Sequence, residues 1–348
     1  MKSKTGTEEV VSCVLCGSIG LRPWTVNRDF MSQESFALHR CTECGLVRTV
    51  FPYPESELAR YYGLAYYGEG GRRFLPPVER AIRAFRGGRA RFVRRRHPEP
   101  GRVLDVGCGR AIMLSQLKAL GWDCVGTEFS EDIVVWAREK HGIEVWAKDL
   151  EACGFGSETF DMVTLWHSLE HMVRPLAVLR ESARVLKPGG VLVVEVPNIE
   201  SLQALIGRGR WFHIDAPRHQ VHFGRSHIRT LLGQVGLERI CETTVSIELG
   251  FYGMWQTLLN LATVRMNVLY LMLRRFRAGD WAGRRTLPGL LATLWDVVAT
   301  VLFLAPALVA GTILEAGACL TGRGGIIRIA ARKRESVSGL QSATGPTP

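Results

Sequence analysis

Three sets of residues in this chain have the types and spacing to do chemistry. The first lies in RVLDVGCGRA, Arg102 to Ala111, where Asp105 is followed by Gly107 and Gly109. Glycines let a backbone come close to a ligand, so a loop of this kind binds a nucleotide-like cofactor through its main chain. The second is Cys13, Cys16, Cys41 and Cys44, two C-x-x-C pairs each followed by glycine, with 24 residues between the pairs. Such a knuckle places two thiolates on one tetrahedral ion, and two knuckles complete a zinc site; a redox motif needs only one pair. His39 is a spare ligand nearby, better read as a surface residue because four thiolates already complete the site. The third set is histidine-rich: His167, Glu170 and His171 in WHSLEHM, then His213, Asp215, His219 and His222 in WFHIDAPRHQVHFG. Imidazole exchanges protons near neutral pH, so these are candidate bases. A second metal site from the same ligands is the lesser reading, because their spacing is irregular.

The elements around these residues follow from pattern. An apolar run enters the glycine loop and the helical pattern AIMLSQLKAL leaves it, which makes a strand, a loop and a helix with the binding edge at the strand's carboxyl end. The third glycine of a dinucleotide fingerprint would fall at position 112, where this chain has Ile112. That weakens a nicotinamide or flavin reading, although Glu128 stands at about the right distance. Trp122 to Thr127 reads as a second strand ending in Glu128, with Ser130 as N-cap of the next helix. Ile143 to Ala147 reads as a third strand, leading to Asp149 and Leu150. In Lys187 to Gly190 a proline stops a helix and two glycines open a turn before another strand.

Taken in order, Asp105, Gly107, Gly109, Glu128, Asp149 and the segments FDMVTLWHSLEHMVRP and LKPGGVLVVEVPN resemble the class I S-adenosylmethionine-dependent methyltransferases over Gly101 to Asn198. Ala111 stands where that family usually has a third glycine. The resemblance implies an α/β fold, a doubly wound seven-stranded Rossmann-like sheet, with S-adenosyl-L-methionine as methyl donor; to this the cysteine pairs add an N-terminal zinc ribbon with a structural zinc, and the apolar stretches of the last third add a helical insertion before the last strand. Asp105, Gly107 and Gly109 would cradle the donor, Glu128 would accept from its ribose hydroxyls, Asp149 would meet the adenine amino group, Leu150 would pack on the ring, and His167 would join them. WFHIDAPRHQVHFG resembles the acceptor loop of a subgroup related to the zinc-containing sugar C-methyltransferases. His219 or His222 is then the expected base, with His171 orienting donor or acceptor, and the acceptor is a sugar, a glycan or a lipid-linked small molecule.

The chain divides accordingly into a ribbon at 1–50, a linker and basic helix at 51–100, the core at 101–248, an apolar insertion at 249–323, a final strand at 324–334 and a disordered tail at 335–348. Tyr61, Tyr62, Tyr66 and Tyr67 in the linker are expected to lid the cofactor or to pack the ribbon on the core. From Arg72 to Arg96 there are ten arginines and one acid, Glu79, expected as a helix interrupted at Gly87 and Gly88. With a net charge of +11, this run is a solvated face or an attractor of phosphates. In the insertion, Val297 to Leu314 is 18 residues without a charge. One crossing would separate the last strand from its sheet, and two would move an arginine-rich loop outward. An interfacial helix, or a re-entrant one broken at Pro306, is therefore expected, against a lid buried in the core or a homodimer interface.

Nine cysteines without a disulfide framework, and the lack of a cationic and apolar leader, point to the cytoplasm, with membrane contact at its cytoplasmic face. An RNA methyltransferase, using the arginines on phosphates, is the alternative function, and nucleic acid the less favoured partner because the apolar insertion would go unexplained. A non-catalytic assembly module ranks third, since a scaffold has no need of Asp105, Glu128 and Asp149.

Overall fold

The computed structural model describes residues 12–62, 73–274 and 286–335. Tyr66, Tyr67, most of the arginine-rich loop before residue 286, and the tail beyond 335 lie outside the described residues. Two sheets organise the rest. The N-terminal module supplies β1 (Leu21–Arg28), β2 (Ser35–Cys41) and β3 (Val47–Thr49), all antiparallel. The larger sheet holds β4 (Arg102–Val106), β5 (Asp123–Thr127), β6 (Glu144–Trp146), β7 (Phe160–Trp166), β8 (Leu186–Pro197), β10 (Leu237–Thr243) and β11 (Ile326–Lys333). Between them in sequence, β9 (Val221–His222) belongs to the small sheet.

The large sheet runs in the order β10-β11-β8-β7-β4-β5-β6. Strands β4 to β8 pair in parallel, and β11 enters antiparallel between β8 and β10. The chain winds outward from β4 on one side and returns through β7 on the other, so a crevice opens at the carboxyl ends of β4 and β7. Helices cover both faces: α1 (Pro76–Arg96), α2 (Ile112–Lys118), α3 (Glu131–His141), α4 (Pro175–Val185), α5 (Leu202–Gly207) and α6 (Arg225–Gln234). The central strands are rich in buried Val, Leu and Met, as expected when both faces are covered, and carry the buried polar residues Asp105, Thr164 and Glu195 among them.

The hairpin of β10 and β11 is interrupted as expected, by a short π-helix at Ile247–Phe251 and by α7 (Tyr252–Ala262), α8 (Val268–Leu273) and α9 (Leu287–Leu320). Two expectations need correction. Helix α1 passes through Gly87 and Gly88 without interruption, because Ala90 and Val93 bury against the sheet beyond them. Two glycines cost about 2 kcal/mol of helix propensity, less than that burial returns. Helix α9 likewise runs through Pro306 for 34 residues, so the break required of a re-entrant pair is absent.

Helix α9 carries its apolar face outward. Asp296, Ala299, Thr300, Ala307, Gly311, Glu315 and Ala318 point inward, small or polar at near-helical spacing. Gly311 admits α7 closely: a Cβ there would lie 2.7 Å from the Trp255 ring. Asp296 accepts from the Val264 amide at 2.6 Å, and Glu315 accepts from Gln203 at 2.7 Å and from the Gly325 amide at 2.8 Å. Outward stand Leu290, Leu291, Leu294, Val301, Leu302, Val309 and Ile313, each more than half exposed. A lid buried in the core is thereby excluded. Anchored near both ends, the helix lies along the domain, about 51 Å long at 1.5 Å per residue.

Candidate functional site

The cysteines come together as their spacing implies. Donor sulfurs of Cys13, Cys16, Cys41 and Cys44 all lie within 4.8 Å of one another, with Cys13–Cys44 at 3.5 Å and Cys16–Cys41 at 3.6 Å. Four thiolates at about 2.3 Å from one ion would stand roughly 3.8 Å apart, so the donor set fits tetrahedral zinc. Each knuckle closes by a backbone bond, Gly17 N to Cys13 O and Gly45 N to Cys41 O, and both glycines have positive φ. His39 sits on β2 outside the thiol group.

This module also builds part of the site. Strand β3 pairs with β9, so the histidine-rich loop becomes the fourth strand of the small sheet. The Thr49 hydroxyl donates to His219 O at 2.6 Å and lies 3.2 Å from His222 Nε2. His227 Nε2 lies 2.9 Å from Cys44 O. Arg218, fully buried, bridges Asp29 of the module (2.6 Å) and Asp215 of the loop (2.6 Å), its guanidinium over the Phe30 ring.

At the crevice, the loop after β4 is held by two bonds to the end of β5, Gly107 N and Cys108 N to Thr127 O, both 2.9 Å. Gly107 has φ +74°, and a Cβ there would stand 2.6 Å from that of Ser168; this position requires glycine on both counts. Glu128 Oε2 accepts from Gly109 N at 2.9 Å, and Oε1 accepts from Phe129 N at 2.8 Å and Ser130 N at 3.2 Å. Ser130 occupies the N-cap position of α3, though its side chain makes no capping bond. Asp105 is buried beside the Thr164 hydroxyl at 2.6 Å.

One cavity of about 1500 Å³ runs from this loop across the crevice. Asp105, Gly107, Gly109, Glu128, Asp149, Leu150 and His167 line it, as do Glu170, His171, His213 and His219. The insertion supplies a further wall through Leu249, Tyr252 and Trp255. His222 is not among the lining residues. Its ring is buried and held by Thr49, and burial keeps it neutral by lowering its pKa to about 3. The structure therefore places His219, and not His222, at the cavity. Tyr62 lines the cavity with its hydroxyl 2.9 Å from His171 Nδ1, whereas Tyr61 packs with Phe36 and Phe51 inside the N-terminal module. Each half of the tyrosine expectation thus applies to a different residue.

A buried charge network that the sequence reading missed forms the floor of the crevice. His167 lies between Glu170 (3.2 Å) and Glu195 (3.1 Å), and Glu195 also meets Arg89 at 3.2 Å and Arg328. Arg89 continues to Glu248 at 3.0 Å. Burial would lower the His167 pKa, but hydrogen bonds to two carboxylates raise it to about 9. Burial would likewise raise Glu170 and Glu195; His167 holds the first at about 2, and Arg89 leads in holding the second well below the carboxylate range. His167 is thus an imidazolium locked in ion pairs, not a free base. Burial lowers His171 to about 4. Glu195 left a legible signal, a lone acid in the apolar run VLVVEVP, while Arg89 was indistinguishable among its arginine neighbours.

Residues 78–242 match the family model described as a methyltransferase domain, so the chain carries a methyltransferase domain over that stretch. Among curated relatives, a ubiquinone biosynthesis O-methyltransferase of Xanthomonas oryzae pv. oryzae is 38% identical over 106 residues, 28% of this chain and 43% of that protein. A demethylmenaquinone methyltransferase of Mycobacterium sp. (strain KMS) is 41% identical over 96 residues, 27% of this chain and 41% of that protein. The chain thus spans less than half the length of these relatives. Among solved structures, a SAM-dependent methyltransferase from Archaeoglobus fulgidus aligns at TM-score 0.41 with 19% identity, covering 71% of this chain and 94% of the other. The [4+2]-cyclase SpnF aligns at TM-score 0.46 with 22% identity, covering 71% and 80%.

Proposed function

We propose that this chain transfers the methyl group of S-adenosylmethionine to an amphiphilic, lipid-linked acceptor at the cytoplasmic face of a membrane, and that its four cysteines hold a structural zinc. The observation that carries the reading is the continuous cavity: it joins the glycine loop to the histidine cluster and is walled by the segment that carries α9. Asp105, Gly107, Gly109 and Glu128 would hold the donor's methionine and ribose portions, with Asp149 and Leu150 at the adenine. The donor supplies a methyl group on a positively charged sulfur. The chain aligns the nucleophile in line with it and excludes water, with His171, His219 and Glu170 lining the acceptor end of the cavity. The acceptor's reacting head is a sugar or, as in the names of the curated relatives, a quinone-type ring.

The apolar face of α9 supports an interfacial position, with its polar face occupied by the protein itself. Full-length protein is expected to float with anionic phospholipid vesicles in low salt. Replacing Leu294 and Leu302 by glutamate should weaken that partition at least tenfold, since each exposed leucine buries about 1.5–3 kcal/mol of apolar surface in lipid. Failure to bind vesicles, together with a stable dimer abolished by the same substitutions, would assign the face to a second copy instead.

Donor binding should depend on pH through Asp105. Burial, opposed by the Thr164 hydroxyl, raises this carboxyl to about 7 in the free protein. A bound cation favours its ionised form, so below about pH 7 binding must expel a proton and affinity falls, by up to about tenfold per pH unit. Titration calorimetry between pH 5.5 and 8 should show this dependence, and Asp105→Asn should flatten it. An equally steep profile in the variant would assign the proton to another group.

A further inference from the structure

Glu170, His171 and His219 share a geometry that the ion-pair network leaves unexplained. One donor atom from each lies within 4.8 Å of the other two, and all three line the cavity. They come from separate segments, the turn after β7 and the loop before β9, joined by a backbone bond from Gln220 N to Glu170 O at 2.8 Å. His219 Nδ1 lies 2.8 Å from His213 O, and His171 Nδ1 lies 3.1 Å from Arg218 O. A carbonyl only accepts, so the His219 Nδ1 carries the proton and its Nε2 presents a lone pair; the His171 Nδ1 is held between the Arg218 carbonyl and the Tyr62 hydroxyl at 2.9 Å, which fixes that ring's orientation. Metal-binding histidines are oriented in this way, by a second-nitrogen bond to a carbonyl or carboxylate. The two rings stand 4.7 Å apart at 84°. Glu170 is 1% exposed; its Oε1 meets His167, while its Oε2 is buried with no hydrogen-bond partner. A buried carboxylate oxygen without a partner calls for one.

We propose that Glu170, His171 and His219 bind a first-row divalent cation, which in turn holds a hydroxyl-bearing acceptor in the cavity. Two imidazoles and one carboxylate leave coordination positions open, and the cavity is where they open. This deepens the methyltransferase reading and rests on it. The cation would lower the hydroxyl's proton affinity; its proton passes to solvent, the oxygen forms a bond to the methyl carbon, and the sulfur keeps the electron pair of the broken bond. The four sulfurs of the cysteine module form a separate donor group.

The test uses Mn²⁺ as probe, because oxygen and imidazole ligands suit it better than four thiolates do. Full-length protein with its cysteine site loaded with zinc is titrated with Mn²⁺, free ion being read by electron paramagnetic resonance. One bound Mn²⁺ per chain is expected, with at least tenfold weaker binding in Glu170→Gln and in His219→Gln. Circular dichroism and calorimetry with S-adenosylmethionine check that each variant is folded. No bound Mn²⁺ in the parent chain, or unchanged binding in both folded variants, overturns the proposal. Metal-free protein that binds the donor and still transfers methyl at full rate overturns it while leaving the methyltransferase reading intact; loss of donor binding in the parent chain would instead remove that reading.

Discussion

Removing the proposed zinc from the four-cysteine module should lower the proposed methyl transfer at least about 100-fold while changing S-adenosylmethionine affinity by less than about threefold. Small structural zinc modules do not hold their fold without the ion. Here the consequence reaches the acceptor end, because β9 is the fourth strand of the module's sheet. Thr49 fixes the backbone of His219, and Cys44, itself one of the thiols, offers its carbonyl to His227. A displacement of about 1 Å at a reacting group is enough for a 100-fold loss. The glycine loop is secured independently, by β4, β5 and the bonds to Thr127, on the other sheet. Chelation, or Cys41→Ser, followed by parallel assays of transfer and donor calorimetry, separates the two ends. Equal loss of both would show that the ribbon supports the whole domain rather than its acceptor loop.

The second large effect should come from Arg218→Ala, with about 3–5 kcal/mol lost from folding stability. Arg218 is fully buried, and its removal leaves Asp29 and Asp215 facing each other across the gap without a counter-charge. Breaking one partner out of a buried ion pair costs that much because the remaining charge stays desolvated. Burial would raise the Asp215 carboxyl, but Arg218 holds it well below the usual carboxylate range. Its folded pKa is therefore depressed below the unfolded value of about 3.9, so its contribution is present above that pH and fades as pH falls toward the folded value. The difference between parent and variant in urea unfolding should then be full at pH 7 and shrink in acid. A difference below about 1 kcal/mol at pH 7 would mean that water reaches the two carboxylates.

Much of the framework was legible because its signals are local. An acid followed by alternating glycines, an acid at the next strand end, and paired C-x-x-C knuckles each lie within a few residues of their structural consequence. The interrupted hairpin was legible from the apolar run before Gly325. What was not legible depends on partners far apart in sequence. Arg89, Glu195 and Arg328 converge from three segments, and Arg218 meets Asp29 across 189 positions. Local propensity misled at Gly87–Gly88, where the helix continues because packing beyond the pair outweighs a loss of about 1 kcal/mol per glycine, and at Pro306, which α9 passes without a break. His219 and His222 are equivalent by type and spacing. Only the pairing of β9 with β3 turns His222 toward Thr49 and leaves His219 at the cavity.

In the proposed reaction one cavity serves a methyl donor at the glycine loop and a lipid-linked acceptor at the histidine cluster. Membranes and soluble extract, incubated with the purified chain and S-adenosylmethionine labelled in its methyl group, test it directly. Label should enter the organic-extractable fraction of the membranes, resist nuclease, and fall at least about 100-fold with His219→Ala while that variant still binds the donor. Label confined to nuclease-sensitive RNA, or transfer that survives His219→Ala unchanged, would contradict it.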